Sequence, residues 1–244
     1  MKKIPSLVCA LCTLISFDAM SNPIKTVGTA VVNKNAHTVE MRSGWSSDAD
    51  SNSHDGRFQT RQLYDYGMND FYAIRMTLVQ DDGGSDNFEH NSVMLDNRFQ
   101  IFEKNEHGFD GGFRASYVYR DGDKKPDLVE IRWINQIPLR EYEFRHHIIA
   151  QHQIGQDSRA GIMPELRWQL TAPINKGHRA GVEMFNEFGN IQDKISFDEQ
   201  SHDAGVVFTG PLWNDNVRYQ AGYRHGISDH APDHSVKFFV GYNF

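Results

Sequence analysis

Cysteine is nearly missing from this chain: it has 244 residues and Cys 2, and both, Cys9 and Cys12, fall in the first segment. From Asn22 onward no disulfide framework and no thiolate metal site can be built. No run of about 20 apolar residues occurs in the body, which excludes a bundle of membrane-spanning helices. Mean hydropathy is −0.58. Positive charge is in deficit, with a formal net charge of −7 and a pI near 5.9, against a general nucleic-acid binder. Heptads and long 3.6-residue apolar periods are absent, so a helical bundle is excluded as well. Aromatic residues, at 12%, are too frequent for a disordered chain.

The first segment reads as an address. Lys2 and Lys3 precede a mostly apolar stretch, Ile4 to Phe17, and Ala19-Met20-Ser21 supplies small residues at the two positions a signal peptidase inspects. This predicts a signal peptide over 1–21, cleaved after Ser21, and a single domain over 22–244. The residues before each cysteine do not fit a lipoprotein site. Without Lys2, Lys3 and Asp18, the 25 basic and 32 acidic residues become 23 and 31, a charge of −8.

The body alternates at period two. Val236, Phe238, Val240, Tyr242 and Phe244 interleave with Lys237, Phe239, Gly241 and Asn243, and Val217, Tyr219, Ala221 and Tyr223 interleave with Arg218, Gln220, Gly222 and Arg224. Such alternation specifies strands with one apolar and one polar face. It predicts about twelve strands (ten to fourteen), over 38–45, 56–66, 71–80, 92–102, 110–120, 127–136, 142–152, 160–171, 178–188, 202–209, 217–226 and 235–244. Pro164 falls inside the eighth and calls for a bulge there.

Connections add a second signal. The first, third and ninth are long and polar (Ser46–Asp55, Asp81–Asn91, Gly189–Ser201), whereas the second, fourth, sixth and eighth are short (Gly67–Asp70, Glu103–Phe109, Ile137–Glu141, Ala172–Gly177). Membrane barrels alternate short periplasmic turns with longer external loops in this way. Trp45, Tyr64, Tyr66, Tyr72, Tyr119, Tyr142, Trp213 and Tyr242 lie near strand ends, where amphipathic rings suit the headgroup level. The expected fold is therefore all-β: a transmembrane antiparallel β-barrel whose apolar faces meet lipid.

With its leader, its alternating strands and its final Gly241-Tyr242-Asn243-Phe244, the chain resembles Gram-negative outer-membrane β-barrel proteins. Its size and strand number are similar to those of the small twelve-stranded oligogalacturonate and sialic-acid porin family. The resemblance implies a cell outer-membrane location, contact with outer-membrane lipids and lipopolysaccharide, and recognition of the C-terminal strand by the barrel-assembly machinery.

In this register thirteen arginines (Arg42, Arg57, Arg61, Arg75, Arg98, Arg114, Arg120, Arg132, Arg145, Arg167, Arg179, Arg218 and Arg224) and Lys237 point inward. The inward acids are nine: Glu40, Asp65, Asp96, Glu130, Glu143, Glu165, Glu183, Glu187 and Asp203. A guanidinium stays charged and grips carboxylates with two parallel bonds. Arg–carboxylate ladders could hold the wall, and the surplus could favour anions, as basic rings do in anion channels. The candidate pore-lining residues are Arg114, Arg132, Arg167, Arg218 and Arg224, with Glu130 and Glu165 beside them. The expected function is an outer-membrane channel for passive uptake of small anionic solutes.

Two alternatives stand beside it: a closed barrel with a structural or surface-recognition role, and an outer-membrane lipid hydrolase. His90-Asn91-Ser92 is the local cluster that suggests the hydrolase, but no Gly-x-Ser-x-Gly elbow occurs and the chemistry points away from an enzyme. Among His 12, His146 and His147 should face opposite sides of one strand, whereas His225, His230 and His234 could meet around the last loop. No cofactor and no metal centre are expected. The loop acids Asp48, Asp50, Asp55, Asp81, Asp82, Asp86 and Glu89 read as solvated tips.

Overall fold

The computed structural model describes residues 22–49, 55–83, 88–120 and 125–244. The predicted leader, with Cys9 and Cys12, and the acids Asp50 and Asp86 lie outside the described residues. The strands are β1 (His37–Ser47), β2 (Phe58–Gly67), β3 (Tyr72–Asp81), β4 (Glu89–Phe102), β5 (Asp110–Arg120), β6 (Asp127–Leu139), β7 (Tyr142–Ile154), β8 (Met163–Asn175), β9 (His178–Glu187), β10 (Ser201–Pro211), β11 (Val217–Gly226) and β12 (His234–Asn243). No end differs from its expected position by more than four residues.

Each strand pairs antiparallel with the next. β12 returns to β1 over ten rungs, from Thr38↔Asn243 to Ser47↔His234, and closes the ring. Along β12 the side chains alternate as the sequence predicts: Val236, Phe238 and Tyr242 are exposed, and Ser235, Lys237, Phe239 and Gly241 are buried. Ile131, Leu95, Val206 and Ile148 continue the apolar outer surface around the ring. An apolar outside on a ladder without edges is what hydrocarbon requires. The chain is a transmembrane antiparallel β-barrel of twelve strands.

The two rims differ. At one, β6–β7 and β8–β9 are joined by two residues each. Lys176 and Gly177 both take positive φ, 39° and 82°, the backbone of a type I′ hairpin, whose twist matches that of the strands. The fourth connection, expected to be a plain turn, holds a helical turn, Lys104–His107, ended by Gly108 at φ 80°. At the other rim the connection after β9 runs over thirteen residues, 188–200. These are called below the short-turn and long-loop rims.

Three expectations are corrected. Asp48 is buried just past the end of β1 and is not a solvated tip. Pro164 needs no bulge, because it lies one residue inside the long-loop end of β8, in regular register with Ala150, and its carbonyl accepts from Phe188 N–H at 3.2 Å. Asp81 is not a loop tip: it ends β3 on the buried inner face, where Arg57 Nε donates to it at 2.9 Å and Gln59 Nε2 at 2.7 Å.

The outer face yields a direct test. Ile148, 56% exposed in the middle of β7, meets acyl chains, so Ile148→Arg should cost about 2–4 kcal/mol in unfolding from lipid vesicles. A water-exposed side chain would tolerate the same change within about 0.5 kcal/mol.

Candidate functional site

The inner face is polar, and residues 22–32 lie inside it, with the exposed Asn33, Lys34 and Asn35 emerging at the short-turn rim. This segment, the strap, runs from Asn22 near the long-loop rim to Ala36 at the short-turn rim, where it becomes β1. It has no strand partners of its own along most of its length. Instead, wall side chains satisfy its backbone. Arg224 donates to the carbonyls of Asn22 and Pro23 at 3.1 and 2.8 Å, and Lys237 Nζ to that of Lys25 at 2.9 Å. Arg167 donates to the Thr26 carbonyl at 3.4 Å, and His147 Nε2 to that of Gly28 at 3.1 Å. Val32 N–H donates to Gln100 Oε1 at 2.8 Å. Ile24, Val27 and Ala30, each three residues from the next, are buried.

The wall leaves room for it. A Cβ on Gly44 would stand 2.6 Å from Ile24 Cγ2 and 3.0 Å from the Pro23 carbonyl. At Gly67 the same atom would collide with the Asn33 carbonyl oxygen at 1.9 Å. Both positions are glycine because the strap passes there.

Charge holds the upper end of the strap. Glu165 and Glu187 face each other directly across β8 and β9, an arrangement that costs stability unless a cation intervenes. Lys25 supplies it, wholly buried, with Nζ 2.8 Å from Glu187 and 3.4 Å from Asp203. Lys237 pairs with Glu183 at 2.6 Å and Arg224 with Asp203 at 3.0 Å. All three cations, and Arg167, surround the buried Phe185 ring, at 4.8 to 5.9 Å from its centroid. Three basic groups (Lys25, Arg224, Lys237) thus meet three acidic ones (Glu183, Glu187, Asp203).

Around the waist the balance is different. Arg42 stands directly opposite Arg61 across β1 and β2, and Arg98, Arg114 and Arg132 are directly opposite one another on β4, β5 and β6. Carboxylates hold most of them from neighbouring rungs. Asp65 takes Arg75 at 2.8 Å and Arg98 at 2.9 Å, and Glu130 takes Arg132 at 2.8 Å. Arg114 lies 3.6 Å from Asp96 and 3.7 Å from Glu130. Glu40 pairs with Arg42 and Glu165 with Arg167. Arg61 forms no ion pair among the described residues, and its buried Nε has no hydrogen-bond partner. The charges that act on it are Arg42 and Arg167 together with the carboxylates Asp96 and Glu130.

Near the short-turn rim the surplus recurs. Arg145 pairs with Glu143 at 2.7 Å and shares its surroundings electrostatically with Arg179 and Arg218. Arg179 is held by Thr171 Oγ1 at 3.0 Å and by the Glu141 carbonyl at 3.1 Å. Arg218 is exposed and unpaired among the described residues.

All seven candidates read from the sequence lie on this inner face. Arg114, Arg132, Arg167, Glu130 and Glu165 belong to the waist. Arg224 belongs to the Lys25 cluster, and Arg218 stands apart at the short-turn rim. Sequence reasoning missed Lys25 and the strap entirely, and it did not separate Arg61 from the paired arginines. The three-residue spacing of Ile24, Val27 and Ala30 is the signal that could have marked the strap as buried.

His147 faces the lumen as expected, its Nδ1 accepting from Arg132 at 3.4 Å while His146 faces out. Ser92 is buried, and no hydrogen bond joins it to His90 among the described residues. A register shift opposite Val79 and Gln80 separates the two. No group of three metal-ligating side chains occurs among the described residues.

The Lys25 contacts are testable. Removing one member of a buried ion pair typically costs about 3–5 kcal/mol. Lys25→Met should therefore speed hydrogen exchange at the Val32 amide by about a hundredfold or more while leaving strand amides protected.

No family model matches the chain, and no curated protein matches it in sequence. Solved structures do match in fold. The COG4313 outer membrane channel from Pseudomonas putida F1 superposes with a TM-score of 0.65 at 10% identity, covering 91% of this chain and 100% of that one. The KdgM porin, solved in complex with disordered oligogalacturonate, gives 0.56 at 7% identity over 85% of this chain and 98% of its own. The NanC porin gives 0.53 at 12% identity over 84% and 98%. The chain's twelve-stranded barrel shares its fold with these channel and porin structures.

Proposed function

We propose that this protein is an outer-membrane channel for passive uptake of small anionic solutes, which move beside the strap along the guanidinium groups of the wall. The long loops face the exterior and the short turns the periplasm. Outer-membrane lipid and lipopolysaccharide surround the barrel. Residues 1–21 direct export, and the strand ending in Phe244 serves as the assembly signal.

One observation carries the reading: the directly opposed arginines at the waist. Like charges on one rung repel, and a wall selected for stability alone would alternate their signs. Seven basic groups there (Arg42, Arg61, Arg75, Arg98, Arg114, Arg132, Arg167) meet five carboxylates (Glu40, Asp65, Asp96, Glu130, Glu165). An anion drawn into this field finds Arg61 without a protein partner. It next meets Arg145, Arg179 and Arg218, of which Arg145 is paired with Glu143. Selectivity comes from charged rings, and passage requires that each site hold the solute weakly. The oligogalacturonate named for the KdgM porin is a carboxylate-bearing solute of the kind such a row suits.

A second reading, a closed barrel with a structural or recognition role, is favoured by the strap itself, which occupies the lumen. Planar-bilayer recording separates the two. The refolded protein should conduct with a reversal potential on the anion-selective side in a salt gradient. Arg61→Gln and Arg218→Gln orphan no carboxylate, and each should lower the anion-to-cation permeability ratio by about twofold. A silent barrel, or cation selectivity, overturns the channel reading.

A further inference from the structure

On the outer face, at the long-loop rim, two histidines stand side by side. We propose that His225 and His234 form a two-imidazole binding site for a divalent transition-metal ion of the Cu2+ or Zn2+ class. The inference is independent of conduction.

The two residues are direct cross-strand partners on β11 and β12. In the next rung Gly226 N–H donates to the Asp233 carbonyl at 3.3 Å. That makes the histidine rung one of the non-hydrogen-bonded kind, in which Cα atoms approach to about 4.5 Å and side chains stand closest. The ring centroids are 5.5 Å apart with planes inclined by 33°. Both rings are exposed, beyond the apolar belt, next to the aromatic rung of Tyr223.

Each ring is oriented for ligation by its other nitrogen. His225 Nδ1–H donates to the Asp233 carbonyl at 2.6 Å, so the lone pair of this ring lies on Nε2. His234 Nδ1 lies 2.8 Å from the Tyr223 hydroxyl, which accepts a hydrogen bond from Nδ1–H when Nε2 binds a metal. A hydrogen bond on the far nitrogen is the usual support of a metal-bound imidazole, fixing tautomer and ring plane. Two neutral imidazoles suit borderline ions, Cu2+ most strongly. No third metal-ligating side chain joins them among the described residues. The remaining coordination positions stay open to water, as in a capture site and unlike a closed structural centre.

The test uses the full refolded barrel in a zwitterionic detergent. Titration with Cu2+ should show one strong site per chain whose electron paramagnetic resonance spectrum carries coupling to two nitrogens. His225→Gln and His234→Gln should each weaken that site about tenfold or more, and the double variant should remove it. Equal affinity in the double variant overturns the proposal. A second measurement needs no variant: Zn2+ should protect both His225 and His234 from an imidazole-acylating reagent, read by mass spectrometry, while exposed His152 reacts as before. Unchanged acylation of the pair overturns the proposal equally.

Discussion

Closure of the backbone ladder is the constraint from which the other features follow. Hydrocarbon offers no partner to an N–H or C=O group, so β12 must return to β1. Once the ring is shut and its apolar side faces lipid, every second residue is confined to a narrow interior. There, charges sit close together under low dielectric, where an unpaired one is costly and a paired one must be well placed. The dense Arg–carboxylate pairing of the waist is the direct result.

The strap answers the same constraint by another route. Near the long-loop rim the wall presents Glu183, Glu187 and Asp203, with the Arg167-paired Glu165 directly across from Glu187, and these acids need more positive charge than Arg224 and Lys237 supply. Lys25 brings it from a segment that is not part of the sheet. The wall answers with Gly44 and Gly67, which give up side chains where the segment passes. Balance is reached in this cluster and not at the waist, where Arg42 and Arg61, or Arg98, Arg114 and Arg132, still face one another. Stability alone gives no reason for that difference.

What the sequence discloses follows from how local each rule is. Alternation at period two is a property of neighbouring residues, so the twelve strands and the inward course of Arg114, Arg132, Arg167 and Arg224 could be read directly. Turn chemistry is local too, as Lys176-Gly177 illustrates. The strap escaped because its hydrogen bonds go to side chains far along the chain: Lys25 meets Asp203 and Asn22 meets Arg224. Asp81 looked like one more loop acid because its partner Arg57 lies 24 residues earlier in the chain, just before the neighbouring strand β2. Pro164 looked awkward because the sequence does not say how near the strand end it falls. Pairing partners were equally hidden, so Arg61 could not be told from Arg75.

The junction between strap and wall is built differently from the strap itself. Asn35 N–H donates to the Gly67 carbonyl at 2.7 Å, and Gly67 N–H to that of Ala36 at 3.0 Å. Asn35 takes φ 60°, a left-handed conformation that asparagine tolerates better than most residues. This clamp fastens the base of the tail to β2 before the chain enters β1. Swinging of the tail would accordingly pivot above Asn35 and leave the β1–β12 seam untouched. Above Asn35 the tail is joined to the cylinder through side chains, so displacing it would break the Lys25 and Arg224 contacts and no backbone rung of the wall.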